Sequence, residues 1–269
     1  MSRLTAKFDS LRASGRKALV PYIVAGDPDM ERTLPLMHKL VAQGSDILEI
    51  GVPFSDPMAE GPVIQLAHER ALVHAVSLSR ILELVAEFRA QDQETPIVLM
   101  GYANPVERMG YDQFSERAGK AGVDGVLIVD MPPEEADDLN QALAKHELDN
   151  IFLLAPTTTD ERIAKVAGLA GGYLYCVSLK GVTGAGNIDI AQVKQLMGRI
   201  QAHTNLPVTV GFGIKNAETA TQVAACCDGV VVGSALVSAV AEAAVNGGDV
   251  LEATTLIRDI RHALDALSG

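Results

Sequence analysis

The chain has 269 residues, of which 48% are hydrophobic and 21% charged, and its formal net charge is −12. That length fits one barrel-sized domain of ~250 residues or two ordinary domains, and the apolar fraction supplies a large core. The acidic balance argues against a nucleic-acid surface and against docking to an anionic membrane, while still allowing an anionic small molecule held locally by backbone N–H groups.

The first predicted element is an amphipathic helix over Leu4 to Leu11, broken at Ser14-Gly15. It has no apolar signal core. Short apolar runs then alternate with longer helical patterns. The runs are ALVPYIVAG (18–26), DILEIGVP (46–53), PIVLMGYA (96–103), GVLIVDMP (125–132), NIFLLAP (150–156), GYLYCVS (172–178), PVTVGFG (207–213) and GVVVGSAL (229–236). They are rich in Val, Ile and Leu and bounded by Gly, Pro or Asp, as strands buried on both faces are. Between them lie stretches such as MERTLPLMHKLVAQG, EEADDLNQALAKH and DIAQVKQLMGRIQAH. Eight strand–helix units predict an α/β fold, a closed (β/α)8 TIM barrel, with residues 1–269 as one domain. An extra N-terminal helix and extra helices in the loops after strands 2 and 8 complete the expectation; an open doubly wound sheet is the alternative. No apolar run is long enough to span a bilayer. Cys176, Cys226 and Cys227 are odd in number and lack a spaced framework, so a reducing, cytoplasmic setting is expected.

A barrel places its chemistry at the C-terminal ends of the strands. In Ile47-Leu48-Glu49-Ile50-Gly51, alternation sets Glu49 opposite the larger aliphatic side chains and aims it into the barrel mouth. A carboxylate there is costly unless paired or protonated, and burial raises its pKa toward the range useful for proton transfer. A structural salt bridge is the competing reading. Asp56 and Glu60 follow in the long 54–95 interval, where acid–base work and an ordinary polar loop are both possible. Asp27 and Asp130 fit rim buttresses as well as reactive groups. Strand seven ends Gly211-Phe212-Gly213-Ile214 and strand eight ends Gly233-Ser234, with a helical pattern from Ala235. Glycines let a backbone approach an anion, and Ser234 is expected to cap that helix and donate to a phosphate oxygen. The segment Gly181-Val182-Thr183-Gly184-Ala185-Gly186 reads as a lid. Tyr102 and Tyr175, near the ends of strands three and six, suit an aromatic ligand or a core position. The histidines at 38, 68, 74, 146, 203 and 262 fall mostly in helical stretches, without metal-site spacing. No lysine marks a strand's rim, which disfavours a Schiff-base aldolase.

The run Leu48-Glu49-Ile50-Gly51-Val52-Pro53-Phe54-Ser55-Asp56-Pro57-Met58-Ala59-Glu60-Gly61-Pro62 resembles the signature of tryptophan synthase α chains. The likeness continues through Ala25-Gly26-Asp27-Pro28, Asn104-Pro105, Val129 to Glu135, Gly181 to Gly184, Gly211 to Ile214 and Gly233 to Ala235. It implies retro-aldol cleavage of indole-3-glycerol phosphate to indole and glyceraldehyde 3-phosphate. Glu49 would be the general acid–base group, and the carboxylate at 60 would hydrogen-bond the indole N–H. Gly184, Gly213, Gly233 and Ser234 would hold the phosphate; Tyr175 and Thr183 would position Glu49 and close the lid. Tyr22, Met100, Tyr102 and Val129 would line the indole pocket. The resemblance implies no metal or cofactor in this chain. It implies a partner β chain carrying pyridoxal phosphate (PLP), met through the rim of Pro53, Asp56, Asn104 and Pro132 in an α2β2 heterotetramer. The family's commonest residue at position 60 is Asp; Glu60 keeps the carboxylate and extends it by one CH2. Two other readings remain beside the lyase: a non-catalytic subunit that only activates a β chain, and another phosphate-binding barrel such as a sugar-phosphate isomerase.

Overall fold

All eight apolar runs form strands, which pair in parallel and in sequence order into a closed barrel. The computed structural model describes residues 2–177, 189–211 and 213–267. The strands are β1 (Ala18–Val24), β2 (Leu48–Gly51), β3 (Ile97–Gly101), β4 (Gly125–Ile128), β5 (Asp149–Leu154), β6 (Leu174–Val177), β7 (Val208–Gly211) and β8 (Gly229–Val232). Each ends before the run that predicted it; at β1 to β5 and β8 the last residues of the run lie beyond the ladder, at the rim.

Alternation along the strands divides the core in two. Leu19 and Ile23 of β1, Leu48 and Ile50 of β2 and Leu99 of β3 belong to the layer between barrel and helices. Tyr22, Met100, Leu127, Tyr173, Tyr175 and Val231 belong to the cluster inside the barrel. The register pairs Tyr22 with Glu49 and Glu49 with Val98, so Glu49 is a carboxylate within a largely apolar interior.

The N-terminal end of the barrel is sealed. Helix α1 (Arg3–Ala13) is started by Ser2, whose side chain accepts the Thr5 N–H. Its Leu4, Phe8 and Leu11 join the interior cluster, and the Phe8 ring lies 5.6 Å from that of Tyr173. Buried ion pairs finish the seal. Asp124 accepts from Arg89 at 2.8 Å, from Arg3 at 2.9 Å and from the Ile97 N–H at 2.8 Å. Asp46 accepts from the Leu19 N–H at 2.9 Å and from Arg261 at 3.0 Å.

The connecting helices are α2 (Met30–Ala42), α3 (Pro62–Leu72), α4 (Leu78–Arg89), α5 (Ala103–Met109), α6 (Tyr111–Ala121), α7 (Asp137–Ala144), α8 (Asp160–Leu169), α9 (Ile190–Gln201), α10 (Ala217–Ala224), α11 (Ser234–Val245) and α12 (Thr255–Asp265), with a 3-10 turn over Val250–Thr254. The extra helices after β2 and β8 are those expected. The short α5 after β3 is an addition, too brief at 7 residues for an apolar period to show. The three cysteines are free thiols. Among the described residues no helix is long and apolar enough to cross a membrane.

Candidate active site

Glu49 is fully buried, at 0% exposure. The Tyr173 hydroxyl donates to its Oε1 at 2.5 Å, while Oε2 has no partner among the described residues. Burial pushes its pKa up to about 7; the Tyr173 hydrogen bond opposes that rise and the nearby Glu60 charge adds to it. The same surroundings drive the Tyr22, Tyr173 and Tyr175 hydroxyls well above their ordinary range, chiefly through burial, so all three stay protonated donors.

Above this layer, at the C-terminal mouth, lies a cavity of about 240 Å³, just below the ~300–1,000 Å³ usual for small-ligand sites. Met100, Val63, Ile64, Val231 and the rings of Tyr22 and Tyr175 supply its apolar wall, and Glu60 joins them from the loop after β2. Glu60 is half-buried, and desolvation pushes its pKa up to about 7 as well. A methyl on Gly51 would run into the Tyr22 hydroxyl, so only glycine lets that ring lie across β2.

The rest of the wall is backbone. Gly213, Ile214, Gly233 and Ser234 line it, and Gly213 adopts φ +80°, which favours glycine. Helix α11 begins at Ser234 with Gly233 as its cap residue and no side-chain cap hydrogen bond. Its first N–H groups are therefore left for an anion, and the helix dipole favours one there.

A cavity walled by aromatic and aliphatic side chains at one part and by a helix N-terminus at another suits an apolar group joined to an anion. The model of the family described as tryptophan synthase alpha chain matches residues 8–264. The chain belongs to the tryptophan synthase alpha-chain family. A relative so named from Thioalkalivibrio sulfidiphilus is 58% identical over 242 residues, covering 90% of this chain and 91% of its own length. The one from Methylococcus capsulatus is 56% identical, covering 99% of this chain and 100% of its own. The crystal structure of tryptophan synthase subunit alpha from Legionella pneumophila superposes with a TM-score of 0.92 at 46% identity, each chain 99% covered. The chain is thus an α subunit of tryptophan synthase and a lyase of tryptophan biosynthesis.

Within this α-chain site the expected residues divide. Tyr22, Glu60, Met100, Tyr175, Gly213, Gly233 and Ser234 share one cavity wall. Glu49 lies inside the barrel rather than in the wall. Ser234 does not cap α11; it is that helix's first residue. Tyr102 is not in the wall either. The chain leaves β3 at Gly101, and the Tyr102 ring stacks on Phe54 at 4.9 Å, with its hydroxyl accepting the Ala59 N–H at 3.0 Å. It braces the Glu60 loop from outside the barrel. Val129 is half-buried and opens toward a second cavity between the ends of β4 and β5. Asp27 and Asp130 are buttresses: Arg70 binds Asp27 through two hydrogen bonds of 2.7 and 2.8 Å, and Asp130 accepts the Ala103 N–H. Thr183 and Gly184 lie outside the described residues.

Sequence reasoning missed the apolar wall residues Val63, Ile64 and Val231 and two polar residues. Tyr173 holds Glu49, and its signal was present: it lies two positions before Tyr175, so the two share the strand's inner side. His68 is 1% exposed and touches both Tyr22 and the Phe54 backbone. Its signal was its place on the buried stripe Ile64, Ala67, His68, Ala71 of α3.

Proposed function

We propose that this cavity holds indole-3-glycerol phosphate and that Glu49 and Glu60 carry its retro-aldol cleavage to indole and glyceraldehyde 3-phosphate. The observation that supports this most is Glu49, a buried carboxylate of pKa about 7 with no cation beside it among the described residues, in strand register with Tyr22 of the cavity wall. The carbon–carbon bond breaks only if its electron pair has a destination. A proton delivered to the indole ring carbon that bears the glyceryl chain turns the ring into that sink. Loss of the proton from the hydroxyl on the attached glyceryl carbon then converts that glyceryl carbon into the aldehyde, and the pair of the breaking carbon–carbon bond returns to the ring. One proton enters and one leaves, so a single group that titrates near neutrality serves both steps. Glu49 does this after turning from Tyr173 toward the mouth, between Tyr22 and Tyr175. Glu60, as carboxylate, accepts the indole N–H and offsets the positive charge that develops there. Backbone N–H groups at Gly213, Gly233 and Ser234 hold the phosphate.

The cleavage asks for no cofactor in this chain. The partner in this reading is a β chain holding PLP, paired as α2β2, and both subunits are placed in the cytoplasm, where three free thiols persist. Exposed Asp56 and Asn104, half-buried Pro132 and Met58 at 86% exposure on the same rim suit such a contact; Pro53 is buried and supports them from beneath. The test is indole release from indole-3-glycerol phosphate, with and without a β chain. Release that rises with the β chain is expected. No release in either condition would leave a subunit that binds and activates without cleaving.

A further inference from the structure

Helix α3 meets the site at three places. Ile64 stands in the cavity wall, Arg70 clamps Asp27, and His68 lies between them with its ring buried. The Phe54 N–H donates to His68 Nδ1 at 3.0 Å. That nitrogen therefore carries a lone pair, and the proton of the neutral ring is on Nε2. Burial holds the ring neutral, with its pKa lowered to about 4. Nε2 lies 3.4 Å from the Tyr22 hydroxyl. The donor in that contact is consequently the histidine, the tyrosine oxygen is the acceptor, and the tyrosine's own hydrogen remains available.

The direction of that hydrogen follows from the ring. Tyr22 runs from Gly233, where its Cβ and Cδ1 lie 3.8 Å from the position of an added methyl, to Gly51, where its hydroxyl would meet one. Its near end thus flanks the anion end of the cavity, and its hydroxyl lies farther along, toward the loop that bears Glu60. Between a phosphate at one end and an indole N–H at the other, the part of the ligand beside that hydroxyl is the glyceryl chain.

We propose that His68 is a positioning residue: it fixes the Tyr22 hydroxyl as a hydrogen-bond donor to a glyceryl hydroxyl of the substrate. The same ring ties that donor to the backbone of the Glu60 loop through Phe54. This rests on the substrate reading above.

Two variants split the histidine's functions. Asn at 68 reproduces Nδ1 and keeps the Phe54 bond; Gln reproduces Nε2 and keeps the donor to Tyr22. Steady-state cleavage is measured for the wild type, Tyr22→Phe, His68→Asn, His68→Gln and the Tyr22→Phe/His68→Asn pair. The affinity for 3-(indol-3-yl)propyl phosphate, which lacks the glyceryl hydroxyls, is measured alongside. Tyr22→Phe and His68→Asn are each expected to lower kcat/KM about 3–10-fold, the worth of one hydrogen bond. The pair should lose no more than either alone, and His68→Gln should stay closer to wild type. Affinity for the propyl phosphate should change less than about 2-fold throughout, which a general loss of structure would not permit. Additive losses, unchanged kcat/KM in Tyr22→Phe, equal loss of propyl phosphate affinity, or a tolerated Asn with a damaged Gln would each overturn the proposal. Should both His68 variants fail to fold, Tyr22→Phe with the two ligands still tests the donor: equal loss for both ligands, or no loss of kcat/KM, overturns the proposal. An inactive wild type would remove the substrate reading and this inference together, whereas a failed cycle on an active wild type removes only the inference.

Discussion

The two ends of the barrel bury carboxylates in opposite ways. At the N-terminal end Asp124, 4% exposed, takes hydrogen bonds from two guanidiniums and one backbone N–H. At the C-terminal end, among the described residues, Glu49, 0% exposed, has one tyrosine and an unpartnered oxygen, and Glu60 is raised by desolvation. Burial is therefore no marker of a reactive acid in this fold; the partner is. A carboxylate given two cations ties distant parts of the chain together. A carboxylate denied any has a proton that leaves near neutral pH, where it can be used.

Removing each kind of group should separate the two roles. Glu49→Gln should lower kcat by roughly 10²–10⁴-fold, the usual worth of a general acid–base group, with phosphate binding intact; unchanged turnover would sink the assignment. The same variant should not lose stability. The folded pKa of Glu49, about 7, lies above its ordinary value of 4.5. The native state then binds more protons than the unfolded one, so this group's contribution is present below pH 4.5 and is lost as pH rises through 7. The loss is on the order of 3 kcal/mol. Glu49→Gln should accordingly match the wild type near pH 4.5 and be the more stable protein at pH 8.

Asp124→Ala should behave the other way. It strands the buried Arg89 guanidinium, which is 5% exposed, at a cost of about 3–5 kcal/mol. Tm should fall by on the order of 10 °C, while the folded fraction keeps its kcat. A large loss of kcat with little change in Tm would mean that the sealed end takes part in the chemistry. Glu60→Asp ranks below both. It keeps the charge and shortens the reach by one CH2, so activity within about 10-fold of wild type is expected; total loss would show a cavity shaped to the longer side chain.

The barrel was legible because parallel strands buried on both faces must be apolar throughout, and eight such runs alternate with helical periods. Glu49 was legible for the same reason, as a charge inside an apolar strand. Neither the ion pairs of the sealed end nor the partners of Glu49 could be read in this way. Arg89 and Asp124 are 35 residues apart and Tyr173 and Glu49 are 124 apart, and no local period encodes such meetings. Tyr102 shows a second limit. Alternation holds only while the chain stays in the ladder, and one residue past β3 its ring turns to Phe54 rather than to the cavity. His68 shows a third: a histidine on a helix's buried stripe announces burial, but its contacts with Tyr22 and Phe54 depend on where the barrel places α3.

The smallest effect expected tests whether the two carboxylates of the C-terminal end share one field. The Glu60 charge raises the Glu49 pKa, so Glu60→Gln should let Glu49 ionise at lower pH. Ionising Glu49 then destabilises the fold less, and the stability advantage that Glu49→Gln shows at pH 8 should shrink when measured in the Glu60→Gln background. The shift is partial, since desolvation is the leading cause of the rise and remains after the substitution. Because Glu60 itself titrates at about 7, it repels Glu49 fully only on the alkaline side, and the two backgrounds should diverge with pH rather than differ by a constant. A difference independent of pH would mean that Glu60 acts on Glu49 through packing and not through charge, and the contrast between the two barrel ends would then rest on burial at Glu49 alone.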